Sequence, residues 1–141
     1  MTEDRINHLR GLLRLIDPEE VERFKRKVLM GGSRDRWLRQ IAHRIPMHSD
    51  FTSEPEKGSR DMDSLLVRLR ALGAGSTCYI VSSDGSLDDT FQDTEYAVLR
   101  APWLFTHATI LSCIPGELAL FRTAMPIRHL VVHRPMARAI D

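Results

Sequence analysis

Apolar positions in the first half of the chain repeat at helical spacing, and those in the second half run together in short blocks broken by turns. Ile6, Leu9, Leu13 and Ile16 predict a first helix over about residues 3–16. Asp17-Pro18-Glu19-Glu20 then reads as a helix start, with Asp17 capping free amides, Pro18 in the first turn and Glu20 closing a capping box. Val21, Phe24 and Val28 mark the inner face of that second helix, and Gly31-Gly32 stops it. Ser33 offers a cap to a third helix whose apolar face is Trp37, Leu38 and Ile41; it must end before Pro46. Residues 46–60 hold two prolines, three serines and little that is apolar, so they are expected to be an exposed linker. A fourth helix is predicted over about 61–72, with Met62, Leu65, Leu66, Leu69 and Leu72 inward and Gly73 as its stop.

Beyond Gly73 the period changes. The run Thr77-Cys78-Tyr79-Ile80-Val81 predicts a strand covered on both faces. A short helix is expected over about 94–101. Phe105–Cys113, Glu117–Thr123 and Ile127–His133 then predict three strands whose separators, Ile114–Gly116 and Ala124–Pro126, leave room only for tight turns. Three such strands make an antiparallel meander. A crossover of about 22 residues would set the first strand parallel to a neighbour. The predicted fold is α+β: N-terminal helices packed on a small mixed four-stranded sheet ending in the meander, in one domain over 1–141. Its divisions are a basic helical segment at 1–45, the linker at 46–60, helix plus sheet at 61–134 and a tail at 135–141. The last meander strand, Ile127–His133, is expected to leave a pairable edge.

Charge divides the chain at the same place. Residues 1–45 carry eleven Lys/Arg against seven Asp/Glu, while 74–103 carry one Arg against five acids, so the net charge of +1 conceals a dipolar distribution. The chain has 17 Arg and 3 Lys, which suits anion recognition but reads first as coding bias. No apolar run approaches the roughly 20 residues needed to cross a bilayer. The N-terminus mixes acids and bases ahead of any apolar stretch, unlike a secretory signal. Cys78 and Cys113 sit in apolar runs and read as buried thiols in a reducing compartment. The expected location is the cytoplasm, without membrane contact.

The densest basic stretch is Arg23 to Arg44, with eight Lys/Arg and one acid, Asp35. Its layout resembles a helix-turn-helix DNA-binding unit over about 22 residues, although Val28 and Asp35 depart from that pattern. The resemblance implies that Ser33, Arg34, Arg36 and Gln40 face outward at the start of the recognition helix, where Arg and Gln read base edges, while Lys25, Arg26 and Lys27 meet phosphates; Arg39 belongs to the same nucleic-acid-binding set. The same residues suit docking on an acidic protein surface, with Trp37 as an anchor. A solvated structural hairpin is the third reading.

Ser82–Asp89 clusters three carboxylates and three hydroxyls after a strand, which would suit a divalent cation and a hydrolase, or simply a turn. His129 and His133 would lie about 13 Å apart along a strand at 3.3 Å per residue, too far to share an ion. His43 and His48 flank Pro46. Cys113 beside His107 or His129 would make a thiol–imidazole pair, or be an inert buried thiol. Gly73–Thr77 precedes a strand, whereas a phosphate cradle opens a helix. No cofactor is predicted, no catalytic residue and no metal ligand. The leading expectation is a non-enzymatic interaction domain, for example a small bacterial regulatory, inhibitor or immunity-type protein. It would dock a protein with an acidic surface by charge, using Lys25, Arg26, Lys27, Arg34, Arg36, Trp37, Arg39 and Gln40. Nucleic acid is the alternative partner, and a metal-dependent hydrolase at Asp84–Asp89 the second alternative.

Overall fold

The computed structural model describes residues 3–30, 34–41, 45–54, 62–100, 108–123 and 128–136. Helix α1 spans Glu3–Leu15, α2 spans Val21–Phe24 and continues through a π-helical turn over Lys25–Leu29, α3 spans Arg34–Gln40 and α4 spans Met62–Ala71. The strands are β1 (Thr52–Ser53), β2 (Thr77–Ser82), β3 (Thr90–Asp93), β4 (Thr109–Ile114), β5 (Leu118–Arg122) and β6 (His129–His133). Gly73 ends α4 as expected. Its φ is +110°, and the amides of Gly73 and Ala74 donate to Arg70 and Leu69 at 3.0 and 2.9 Å, satisfying carbonyls the helix leaves over.

The sheet order is β1-β6-β5-β4-β2-β3, and every described pairing is antiparallel. The expected four-stranded mixed sheet is therefore corrected to six strands without a parallel pair among the described residues. The reason lies in the supposed crossover. It contains β3, which folds back on β2 as a hairpin, so the chain reverses once more before reaching β4.

Both faces of the sheet are covered. Tyr79, Val81, Ile110, Ala119, Phe121, Leu130 and Val132 meet α1, α2 and α3 through Leu9, Leu12, Phe24, Trp37, Leu38 and Ile41. The alternate positions Cys78, Ile80, Leu111, Leu118, Leu120 and Val131 meet Leu65, Leu66 and Leu69 of α4 and Ala97 and Val98 of a helical turn over Tyr96–Arg100. The continuous apolar runs follow from that two-sided cover, each such side chain contributing about 1.5–3 kcal/mol.

Residues 46–54 are not an exposed linker. Met47 is buried and bridges Ile16, Asp17 N donates to Pro46 O, and His48 N donates to Leu15 O. Thr52 and Ser53 then pair with Val132 and Val131, so the expected open edge at β6 is covered. Residues 55–60 of the linker, the Ala124–Pro126 turn, the beginnings of the predicted strands at 105 and 127, and 137–141 of the tail lie outside the described residues.

Helix α1 reaches the β4–β5 turn at backbone contact. A Cβ on Gly11 would stand 2.3 Å from Gly116 N and 2.8 Å from Pro115 C. Arg14 Nε donates to Gly116 O at 3.1 Å, and Arg134 Nη1 donates to Arg14 O at 3.0 Å.

Candidate functional site

The α2–α3 hairpin divides its predicted contact residues between two environments. Arg26, Arg36, Arg39 and Gln40 are exposed, and Lys25 and Lys27 are half-buried. Lys27 Nζ donates to Gln40 Oε1 at 2.9 Å, tying the two helices together, and Lys25 Nζ lies 3.5 Å from Glu22 Oε1. Met30, at the end of α2, is 81% exposed. Positions 23, 26, 27 and 30 form one helical ridge and 36, 39 and 40 the next. Ser33, the Gly31-Gly32 turn, His43 and Arg44 lie outside the described residues.

Trp37 and Arg34 belong to the interior instead, which corrects both expectations. Trp37 is fully buried, meets Phe24 edge-to-face at 5.1 Å, and directs its indole N–H to Glu20 Oε2 at 3.4 Å. Glu20 thus turns toward Trp37 and toward Arg23 at 3.5 Å. Arg34 donates to Asp88 Oδ1 from Nε at 3.0 Å and Nη2 at 2.7 Å, to Tyr79 Oη at 3.1 Å and to Ile80 O at 3.3 Å. The sequence held the signal: 34, 37, 38 and 41 share one helical stripe, so Arg34 faces the side that Trp37, Leu38 and Ile41 bury.

The carboxylates of the Ser82–Asp89 loop are employed in holding that arrangement. Asp88 Oδ1 also accepts Ser82 N at 2.9 Å. Asp89, at φ +62°, accepts from Arg5 Nε and from the Tyr79 hydroxyl. Burial pushes the Tyr79 phenol up to about 12, and its hydrogen bond to Asp89 adds to this. Burial would raise the Asp89 carboxyl, but donors Arg5 and Tyr79 and the charge of Arg34 win and hold it below its ordinary value. Two guanidiniums against two carboxylates leave the cluster without net charge. Asp84 accepts Ser86 N at 2.9 Å and Ser86 Oγ at 2.6 Å, the bonding of an ordinary Asx turn. His8 joins from α1, with Nδ1 2.7 Å from Ser112 Oγ and its ring against Tyr79 and Phe91.

Neither thiol is suited to nucleophilic attack. Burial pushes Cys78 up to about 12 and raises Cys113 as well, with Cys78 reinforcing the latter. His107 lies outside the described residues. His48 Nδ1 accepts Asp50 N at 3.2 Å while its ring lies on Phe51. Among the described residues, no group of three or more His, Cys, Asp or Glu is placed to hold a metal ion.

Sequence reasoning missed a polar row across the face that meets α4. Ser82, Thr109, Arg122 and His129 stand opposite one another in register across β2, β4, β5 and β6. Ser82 Oγ lies 2.9 Å from Thr109 Oγ1. Arg122 is fully buried and donates to Ala97 O at 3.1 Å and Val98 O at 2.8 Å. Burial brings its guanidinium down to about 10, with Cys78 opposing. The visible signal was the alternation Leu118, Leu120, Arg122, which puts the charge on an apolar face.

His129 is pushed down to about 4 by burial and then by the charge of Arg122. Its folded value lies below the ordinary 6.5, so the unfolded chain takes up the proton first. The stability associated with the neutral ring is whole above about pH 6.5 and is lost as the pH falls toward about 4. Urea unfolding at pH 7 and pH 5 is expected to show a smaller acid loss in His129→Gln than in the unaltered chain. Equal losses would remove His129 as the cause. The depressed His8, shifted chiefly by burial, accounts for a residual loss of the same sign.

These features define a small antiparallel α+β domain with helices on both sheet faces. No described helix is long and apolar enough to cross a membrane. No protein-family model, curated protein or solved structure matches the chain.

Proposed function

We propose that the chain is a non-enzymatic interaction domain that docks an acidic protein surface through the outer face of α2–α3. The observation carrying this reading is the hairpin's division of labour. Trp37 and Arg34 fasten it to the sheet, while Arg26, Arg36, Arg39, Gln40 and Met30 are exposed on the same hairpin. A basic rim with an apolar tip suits a partner that is acidic at its edge and apolar at its centre. The hydrolase alternative is not carried forward, because Asp88 and Asp89 are already bonded to Arg34, Arg5 and Tyr79. The helix-turn-helix alternative has lost its first base-reading arginine to Asp88. Two buried thiols suit a reducing compartment such as the cytoplasm.

The test is recovery of bound partners from a native extract by the unaltered chain and by Arg26→Glu/Arg36→Glu, with and without nuclease. Both substitutions sit in solvent, so stability should change by no more than about 0.5 kcal/mol each. The proposal expects protein partners that survive nuclease and disappear with the double variant. Loss of every partner on nuclease treatment would transfer the surface to nucleic acid. An identical partner set for both proteins would sink the reading.

A further inference from the structure

We infer that β3 is a dimerisation edge, at which a second copy of the chain adds its own β3 antiparallel with Gln92 facing Gln92 of the partner subunit.

The two edges of the sheet are built differently. At one, β1 is two residues long, and Arg128, just ahead of the neighbouring strand β6, grips Glu54 at 2.7 and 3.1 Å immediately beyond β1. A short edge closed by an ion pair resists further strand addition. At the other, β3 has four residues, an unbroken register against β2 from Thr90 to Asp93, and neither proline nor lysine. Among the described residues, no strand pairs with its outer side.

The hydrogen-bond phase of β3 says which groups face outward. Thr94 N donates to Ser76 O at 2.8 Å, and these two residues continue the β2–β3 register. Antiparallel pairs alternate between bonded and non-bonded, so Gln92 and Thr90 bond to β2 while Phe91 and Asp93 aim their amides away from it. The far side of β2 agrees: Ser83 N donates to Ala108 O, which gives the odd residues of β2 to β4. Phe91, 41% exposed, lies on this open edge.

Hydrogen bonding and charge select the register. Centring the pair on Phe91 would require Asp89 of the partner subunit to bond Asp93, but Asp89 has φ +62° and gives its amide to Ile80 O, so only the Phe91 pair would bond. Centring it on Asp93 would oppose the two Asp93 carboxylates. Like charges directly opposite destabilise a pair. Centring it on Gln92 sets each Asp93 beside Phe91 of the partner subunit, lets both residues exchange main-chain bonds, and brings the uncharged Gln92 amides together. Four main-chain bonds across the pair make a weak, reversible, concentration-dependent dimer. Its two-fold axis stands perpendicular to the sheet, so both α2–α3 surfaces emerge on the same side, which would strengthen binding to a repeated partner.

The experiment is sedimentation of the full chain over a range of concentrations. Expected are a monomer–dimer equilibrium in the unaltered chain and dimerisation about tenfold weaker in Gln92→Lys and in Gln92→Glu, from like charges set face to face. An equimolar mixture of the two variants is expected to recover a one-to-one dimer. Amide exchange at Phe91 and Asp93 should slow as concentration rises, while Gln92 stays constant, a reading that needs no variant. A chain that remains monomeric throughout, variants that dimerise like the unaltered chain, or a mixture that fails to associate would each overturn the inference.

Discussion

Gly11→Ala is expected to cost about 3 kcal/mol or more of folding stability, although alanine is the better helix former. Propensity alone would favour the substitution by about 1 kcal/mol in the middle of α1. Sterics decide the sign. The new Cβ would meet Gly116 N at 2.3 Å, Pro115 C at 2.8 Å and Gly116 Cα at 3.0 Å, all of them backbone atoms. No rotamer change relieves such a contact. Either α1 lifts from the sheet, uncovering Leu12 and Leu15, or the β4–β5 turn moves and breaks the Arg14 bond to Gly116 O. Urea unfolding followed by circular dichroism measures the loss. Gly85→Ala is the control, since nothing lies within 4 Å of its added carbon. A Gly11→Ala chain as stable as Gly85→Ala would show that α1 does not approach the turn this closely.

The second large effect belongs to Arg122. Arg122→Ala is expected to lose about 3 kcal/mol or more, for two reasons that add. The Ala97 and Val98 carbonyls lose their charged donor at about 1–3 kcal/mol each. A fully buried side chain is also replaced by a void. Arg122→Lys keeps the charge but lacks the planar fork that serves two adjacent carbonyls, and should fall between the two. Arg122→Met fills the space without a donor, so its gap from Arg122→Lys isolates the hydrogen bonds. Amide exchange should quicken within residues 96–100 before it does so in β5. An Arg122→Ala chain within 1 kcal/mol of the original would mean that these carbonyls find other donors.

Local regularity was legible and partner choice was not. The spacing of Leu65, Leu66 and Leu69 and the glycine at 73 placed α4 nearly to the residue, because a helix signs itself within a dozen positions. The Thr77–Val81 run announced a strand covered on both sides. β3 escaped because Thr90-Phe91-Gln92-Asp93 has one apolar residue and draws its strand geometry from pairing with β2. Missing it made the first connection look like a single crossover and the sheet look mixed. β1 escaped for a similar reason, being two residues held by Val131 and Val132. The basic hairpin shows the same limit in side chains. Eight cations in one stretch appear equivalent in sequence, yet Arg34 finds Asp88, 54 positions further along the chain, and leaves the surface set. Helical phase alone was enough to suspect it. The identity of its counter-ion needed the tertiary fold.

Sheet order and chain order run in different directions, and that bears on biosynthesis. Translation delivers the whole helical layer of α1, α2 and α3 before any of the strands it must cover. It delivers β6 after every other described strand, although β6 sits inside the sheet between β1 and β5. The nascent chain therefore carries Phe24, Trp37 and Leu38 without their cover, and β1 has no neighbour until the keystone strand leaves the ribosome. Closure of the sheet waits on β6, and a chain stalled ahead of it would leave apolar surface exposed, the situation chaperones serve.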